Sequence, residues 1–194
     1  MAVPRMMEMS AMKTLIFNGS PRPKGDTAAL LARLTAQLPG EVKVVHAYRS
    51  DIAPCVDCRR CWTHIGCVID DEMQQVYRDI EAADNIVIAS PVYFSEVTGK
   101  LLDVMSRLQM YYCARAFQGQ TLLTRPKKGA VLLVGGGDGK PDRAHDTARL
   151  LLRCMNCTEI HPLVVSHDTN HKPAVEDEQA LAGVDSIARF LAGD

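Results

Sequence analysis

Lys13-Thr14-Leu15-Ile16-Phe17-Asn18 runs straight into Gly19-Ser20-Pro21-Arg22-Pro23-Lys24-Gly25-Asp26-Thr27, and the reading of this stretch decides the fold. The first six residues are a short, largely apolar run of strand length. Glycines and prolines then interrupt it. Leu30, Leu31, Leu34 and Leu38 follow on one face of a helix expected over about Thr27–Leu38. A strand, a tight loop and an amphipathic helix make the first half of a βαβ unit.

The same alternation continues down the chain. Further strands are expected at Val42–Tyr48, Asn85–Ser90, Ala130–Val134 and Glu159–Val165. Between them, Met73, Val76, Tyr77 and Ile80 mark one helix, and Val97, Leu101, Val104, Met105 and Leu108 another. Two more are expected at about Pro141–Met155 and Val175–Leu191. Strands apolar at nearly every position suit a parallel sheet covered on both faces, so five such units predict a doubly wound α/β fold. Two segments are irregular for their length, Arg49–Asp70 and Cys113–Lys128, and long connections in a compact domain are commonly functional or interface material.

The chain of 194 residues, 47% hydrophobic, suits one large domain with a proper core. Residues 1–11 are expected to form a disordered tail and 12–194 a single domain, with a cysteine-rich loop at about 49–70. A net charge of -1 without a long run of one sign gives no footprint for nucleic acid or an anionic membrane. Met1–Met12 lacks an unbroken apolar run of signal-peptide length, and no segment reaches the roughly 20 apolar residues of a membrane span. The expectation is a cytoplasmic protein whose seven cysteines stay reduced and whose partners are small molecules or proteins.

In sheets of this kind, ligands bind outside the carboxyl ends of the strands. Three loops leave those ends. In the first, the hydroxyls of Ser20 and Thr27, the guanidinium of Arg22 and the free amides of a helix start form an anion site, with Gly25 and Asp26 between them. The plainer alternative is a turn in which Asp26 caps the helix and Arg22 is solvated. Neither G-x4-G-K-[ST] nor G-x-G-x-x-G occurs here, which disfavours nucleoside triphosphate chemistry. The second loop, Ser90-Pro91-Val92-Tyr93-Phe94-Ser95, offers aromatics to a planar ligand or else is a capped hydrophobic turn. The third, from Gly135 through Gly136 and Gly137 to Gly139, allows close backbone approach or serves as a hinge. Phosphate at one loop and a ring at the next describe a mononucleotide.

Cys55-x2-Cys58-x2-Cys61-x5-Cys67 is too dense in thiols to be packing alone. Its rhythm leans toward an iron-sulfur cluster, with zinc and reduced or redox-active thiols as alternatives. His64 is a further potential ligand, and Trp62 is expected to pack the loop. Cys154-x2-Cys157 reads as buried or idle thiols, His167 and His171 as surface residues, and Arg125 to Lys128 as a solvated run. No residue qualifies as catalytic, and there is no G-x-S-x-G elbow.

Together, Gly19-Ser20-Pro21-Arg22 with Gly25 and Thr27, the cysteine loop followed by Asp70-Asp71, and Ser90-Pro91-Val92-Tyr93-Phe94 resemble the iron-sulfur flavoproteins. These are a branch of the flavodoxin-like NAD(P)H-dependent FMN reductases. The resemblance implies a five-stranded sheet of order 2-1-3-4-5. It implies FMN with its phosphate on Ser20, Arg22, Asp26 and Thr27 and its ring against Pro91, Val92, Tyr93 and Phe94. NAD(P)H would be the electron donor, a quinone, flavin or protein the acceptor, and a homodimer or homotetramer the assembly. A [4Fe-4S] cluster on Cys55, Cys58, Cys61 and Cys67 would take electrons from FMN. The chain departs from the family in having Asp26 where Asn is usual. It also has Leu102 and Ser106-Arg107 where Lys and Asp-Arg are usual, so an ion pair on the third helix is expected to be lost. An electron carrier or redox-sensing FMN protein without significant reductase turnover is the alternative function.

Overall fold

The structure is a computed structural model that describes residues 11–137 and 139–193. Apart from Ala11, the tail expected over 1–11 lies outside the described residues. Among the described residues there are six strands: β1 (Lys13–Asn18), β2 (Glu41–His46), β3 (Asn85–Pro91), β4 (Lys127–Val134), β5 (Cys157–Ile160) and β6 (Val164–Ser166). They alternate with α1 (Asp26–Thr35), α2 (Met73–Ala82), α3 (Gly99–Ser106), α4 (Gln109–Gln118), α5 (Asp142–Cys154) and α6 (Glu178–Ala192). The strands pair in parallel in the order β2-β1-β3-β4-β5, and β6 lies beside β4 farther along it.

The period-two geometry of a strand explains why the central strands are apolar at every position. Leu15, Phe17, Ile86, Ile88, Val131 and Leu133 form one core with Met73, Ile80, Leu101, Val104 and Leu152 of α2, α3 and α5. The alternate residues Ile16, Val87, Ala89, Ala130 and Leu132 form a second with Leu30 and Leu34 of α1 and Val184 and Ile187 of α6. No helix among the described residues is long and apolar enough to cross a membrane.

Three expectations are corrected. The fifth strand is two: β5 pairs with the start of β4 and β6 with its end. Pro162 lies between them, and proline cannot donate to a ladder. The irregular connection expected over Cys113–Lys128 begins inside α4, which holds its first six residues; Met110, Cys113 and Ala114 of this helix are buried, and its end is set by Gly119 in a left-handed conformation, φ 66°. The run from Arg125 to Lys128 is not solvated throughout. Lys127 is buried and donates through Nζ to the carbonyls of Glu81 and Ala83 at 3.2 and 2.8 Å. Arg125 donates to Asp84 and to the carbonyls of Glu81, Ala82 and Ala83, and Lys128 to that of Phe190. These carbonyls close α2 and α6, where helical partners run out and a cation is favoured.

At the other end of α6, the Asp177 carboxylate accepts from the Ala180 amide at 3.0 Å and from the Ser166 hydroxyl at 2.8 Å, tying β6 to the helix start. Burial alone would raise this carboxyl, but the bonds from Ala180, Ser166 and Gln179 outweigh it and hold it below its ordinary value. A carboxyl depressed by folding stabilises the native state above its unfolded pKa, and that contribution is lost as pH falls through the folded one. Asp177→Ala should therefore cost about 1–2 kcal/mol at neutral pH. In urea titrations the difference from wild type should shrink below about pH 4.

Candidate active site

The carboxyl ends of β1 and β3 are stitched together before any ligand is considered. The Gly19 amide donates to the Ala89 carbonyl at 2.8 Å, and the Thr98 hydroxyl donates to the Gly19 carbonyl at 2.8 Å. Ser90 Oγ in turn accepts from the Thr98 amide at 3.2 Å. A Cβ on Gly19 would stand 2.9 Å from Ser90 Oγ and 3.0 Å from Thr98 Oγ1, so close approach requires glycine there. The first two predicted loops thus emerge side by side.

They line one cleft of about 110 Å³ together with the third. Its walls include Ser20, Arg22, Gly25, Asp26 and Thr27 from the first loop, Pro91, Val92 and Tyr93 from the second, and Gly136 from the third. Phe94 stands apart. It is fully exposed at the tip of a two-residue turn, with φ of 53° at Phe94 and 62° at Ser95. Tyr93 and Glu96 exchange backbone hydrogen bonds of 2.8 and 3.0 Å across that turn, which directs Phe94 into solvent.

Thr169 and Asn170 also line the cleft, and sequence reasoning missed them. The loop after β6 is laid along the glycine loop by bonds of 3.0 Å from the Thr169 amide to Gly135 and from the Asn170 amide to Gly136. A Cβ on Gly136 would meet Asn170 Oδ1 at 2.7 Å, so the glycine makes room for that side chain. A glycine run facing a short strand end was the available signal.

At the start of α1, Gly25 occupies the N-cap and no side chain caps the helix. The amides of Asp26, Thr27 and Ala28 have no protein acceptor among the described residues. The Asp26 carboxylate does not cap them: its Oδ1 accepts from the Ala174 amide at 2.9 Å. Ser20 is buried, and its hydroxyl accepts from the Arg22 amide at 3.3 Å. A helix positive end with free amides, two hydroxyls and a guanidinium suits an anion.

A second cleft, of about 470 Å³, is lined by Cys55, Cys58, Cys61 and Cys67, and it shares no lining residue with the first. Trp62 packs the loop as expected, stacked on Phe117 of α4 with ring centroids 4.3 Å apart and Arg59 over its face. Cys113 of α4 is a fifth thiol on this cleft that sequence spacing did not single out. Burial, together with Cys113, pushes the Cys61 thiol up to about 11. His64 is exposed and bonded to Thr63. Among the described residues, no three His, Cys, Asp or Glu side chains converge closely enough to hold a single metal ion.

The arginine of the Ser106-Arg107 pair, where an ion pair was expected to be lost, is ion-paired all the same. Arg107, just past α3, has no exposed side-chain surface and pairs with Asp71 at 2.6 Å. Burial pushes the Cys157 thiol up to about 12 and also raises Cys154, in keeping with idle thiols.

A parallel sheet of order 2-1-3-4-5 with an anion-ready cleft at its carboxyl edge defines a flavodoxin-like α/β protein. Residues 12–172 match the model of the family described as NADPH-dependent FMN reductase, and the chain belongs to that family of oxidoreductases. It is 27% identical over 190 residues to an iron-sulfur flavoprotein of Methanosarcina thermophila, with 93% of each chain covered. It is 31% identical over 134 residues to an iron-sulfur flavoprotein of Archaeoglobus fulgidus, covering 68% of this chain and 58% of the relative. Among solved structures it resembles an NAD(P)H:quinone oxidoreductase from Methanothermobacter marburgensis, with TM-score 0.66 at 15% identity over 95% of this chain and 96% of that one. An FMN-dependent NADH-azoreductase from Bacillus anthracis in complex with FMN gives TM-score 0.66 at 18% identity over 93% and 99%. At these identities the structural likeness concerns the fold.

Proposed function

We propose that this chain is a homo-oligomeric FMN-dependent reductase that takes electrons from NAD(P)H and delivers them to a quinone, flavin or protein acceptor. The observation that carries this reading is the meeting of the loops after β1, β3 and β4 in one cleft, beside an uncapped helix N-terminus. The amides opening α1, the hydroxyls of Ser20 and Thr27 and the Arg22 guanidinium would hold the FMN phosphate. Pro91, Val92 and Tyr93 would lie against the ring, and Gly136 would let the backbone come close. When bound, FMN supplies the hydride and electron transfer, so the chain's task is orientation and exclusion of water.

Asp26 fits this arrangement because the Ala174 amide occupies one of its oxygens. Asp26→Asn can retain that bond while removing a negative charge near the phosphate. FMN should bind about 3–10-fold more tightly to the variant, measured by fluorescence titration of the apoprotein.

The cysteine cleft is assigned to a [4Fe-4S] cluster on Cys55, Cys58, Cys61 and Cys67. A single zinc ion would need its thiolates within roughly 4 Å of one another at Zn–S distances of about 2.3 Å. The single compact run of cysteines, all four lining one cleft, favours an iron-sulfur cluster over a zinc ion. Protein purified without oxygen should show flavin bands near about 375 and 450 nm and a broad shoulder near about 400 nm that dithionite bleaches. NAD(P)H oxidation with added quinone tests the reductase. Colourless protein would remove the flavin assignment, and bound FMN without turnover would leave an electron carrier.

A further inference from the structure

We propose that Arg107 is a positioning residue for the group held in the cysteine cleft, fixing both ends of the cysteine loop and presenting a buried cation and an unpaired N–H donor. The inference rests on the reading that this cleft holds an iron-sulfur cluster.

The loop from Cys55 to Cys67 contains only one short turn of 3-10 helix, over Arg60–Trp62, so its shape depends on how its ends are held. One Arg107 nitrogen, Nη1, donates to the Ala53 carbonyl at 2.9 Å and to Asp71 Oδ2 at 2.6 Å. The other, Nη2, donates to the Ile69 carbonyl at 3.2 Å. Ala53 stands two residues before Cys55, and Ile69 two residues after Cys67. The carboxylate completes the grip: Asp71 Oδ2 also accepts from the Ala53 amide at 3.0 Å, and Oδ1 accepts from the Met73 amide at 3.0 Å. A single buried ion pair therefore closes the entry and exit of the loop on each other and joins both to the start of α2.

A second observation points from this pair into the cleft. Arg107 is among the residues lining the cleft and Asp71 is not, and with no exposed side-chain surface the cation lies immediately behind the cleft wall. Arg107 Nε is buried and has no hydrogen-bond partner among the described residues. Leaving a buried charged donor unpaired is unfavourable, which makes it a place where a bound acceptor is missing from the count. A cluster carried by four thiolates is anionic and its sulfurs accept N–H bonds, and such donors raise its reduction potential. Only the planar fork of arginine can reach Ala53, Ile69 and Asp71 and still offer another N–H; a lysine is one point charge.

The test uses holoprotein purified without oxygen, with iron content and redox titration of the cluster and FMN in the same sample. Arg107→Lys should lower the cluster potential or lower the iron content, while FMN content and FMN potential stay at wild-type values. Asp71→Asn, which keeps an acceptor for Arg107 but removes the balancing negative charge, should move the cluster potential upward. A role confined to loop packing gives no such opposite pair of shifts. Iron-loaded variants whose cluster potentials match wild type overturn the inference and leave the cluster reading intact. Wild-type protein without iron overturns both. If Arg107→Lys fails to accumulate, Asp71→Asn decides alone, and an unmoved potential in it rejects the proposal.

Discussion

FMN should bind at least about a hundredfold more weakly to a Ser20→Asp variant, a loss of about 2.7 kcal/mol, while riboflavin should bind nearly as it does to wild type. Ser20 is only 3% exposed and lies on the cleft wall, one turn of chain from the uncapped start of α1. A carboxylate placed there would repel a phosphate dianion and take over the helix amides that favour it. Like charges about 4 Å apart at an effective dielectric of about 20 repel by about 4 kcal/mol per unit pair, so a hundredfold loss is a conservative figure after screening. Riboflavin has the ring without the phosphate, so its binding separates charge repulsion from damage to the cleft. Equal weakening of both ligands would show that the phosphate is not held at this loop.

The parts of the fold that could be read from sequence are those fixed by local pattern. Leu15 to Phe17, Ile86 to Ala89 and Ala130 to Val134 are apolar at each position because alternate residues enter two different cores, and that signature survives without knowledge of the partners. The loops after β1 and β3 were legible for the same reason, since a glycine-proline loop between strand and helix must open at the carboxyl edge. What escaped was set by distant chain. In helix α4, Met110, Cys113 and Phe117 stand at i, i+3 and i+7 and so share one face, which lines the cysteine cleft. Only Cys113 and Phe117 of that stripe fall within the segment read as irregular, too few to mark a 3.6-residue period. Lys127 is buried because the carbonyls closing α2 stand beside the first residue of β4, which the charge run itself does not disclose. The placement of Phe94 in solvent escaped because left-handed backbone at two successive positions normally announces itself with Asn or Gly. Arg107 finds Asp71 thirty-six residues away in sequence, so a comparison confined to the third helix does not disclose the pair.

Replacing Cys58 with serine is expected to remove at least about half of the iron per chain and the dithionite-sensitive absorption with it, because a serine hydroxyl does not supply the thiolate that an iron of the cluster requires. Cys58 is exposed in the loop, so the substitution should change stability by no more than about 0.5 kcal/mol, and the loss would not reflect unfolding. FMN content should be unaffected, since the two clefts have no lining residue in common. Cys113→Ala is the informative control. Its thiol faces the same cleft from α4 and neighbours Cys61, yet it lies outside the Cys55–Cys67 run, so iron should be retained. The reverse result, iron kept in Cys58→Ser and lost in Cys113→Ala, would move the ligand set onto α4 and make the rigid helix, rather than the tied loop, the element that fixes the cluster.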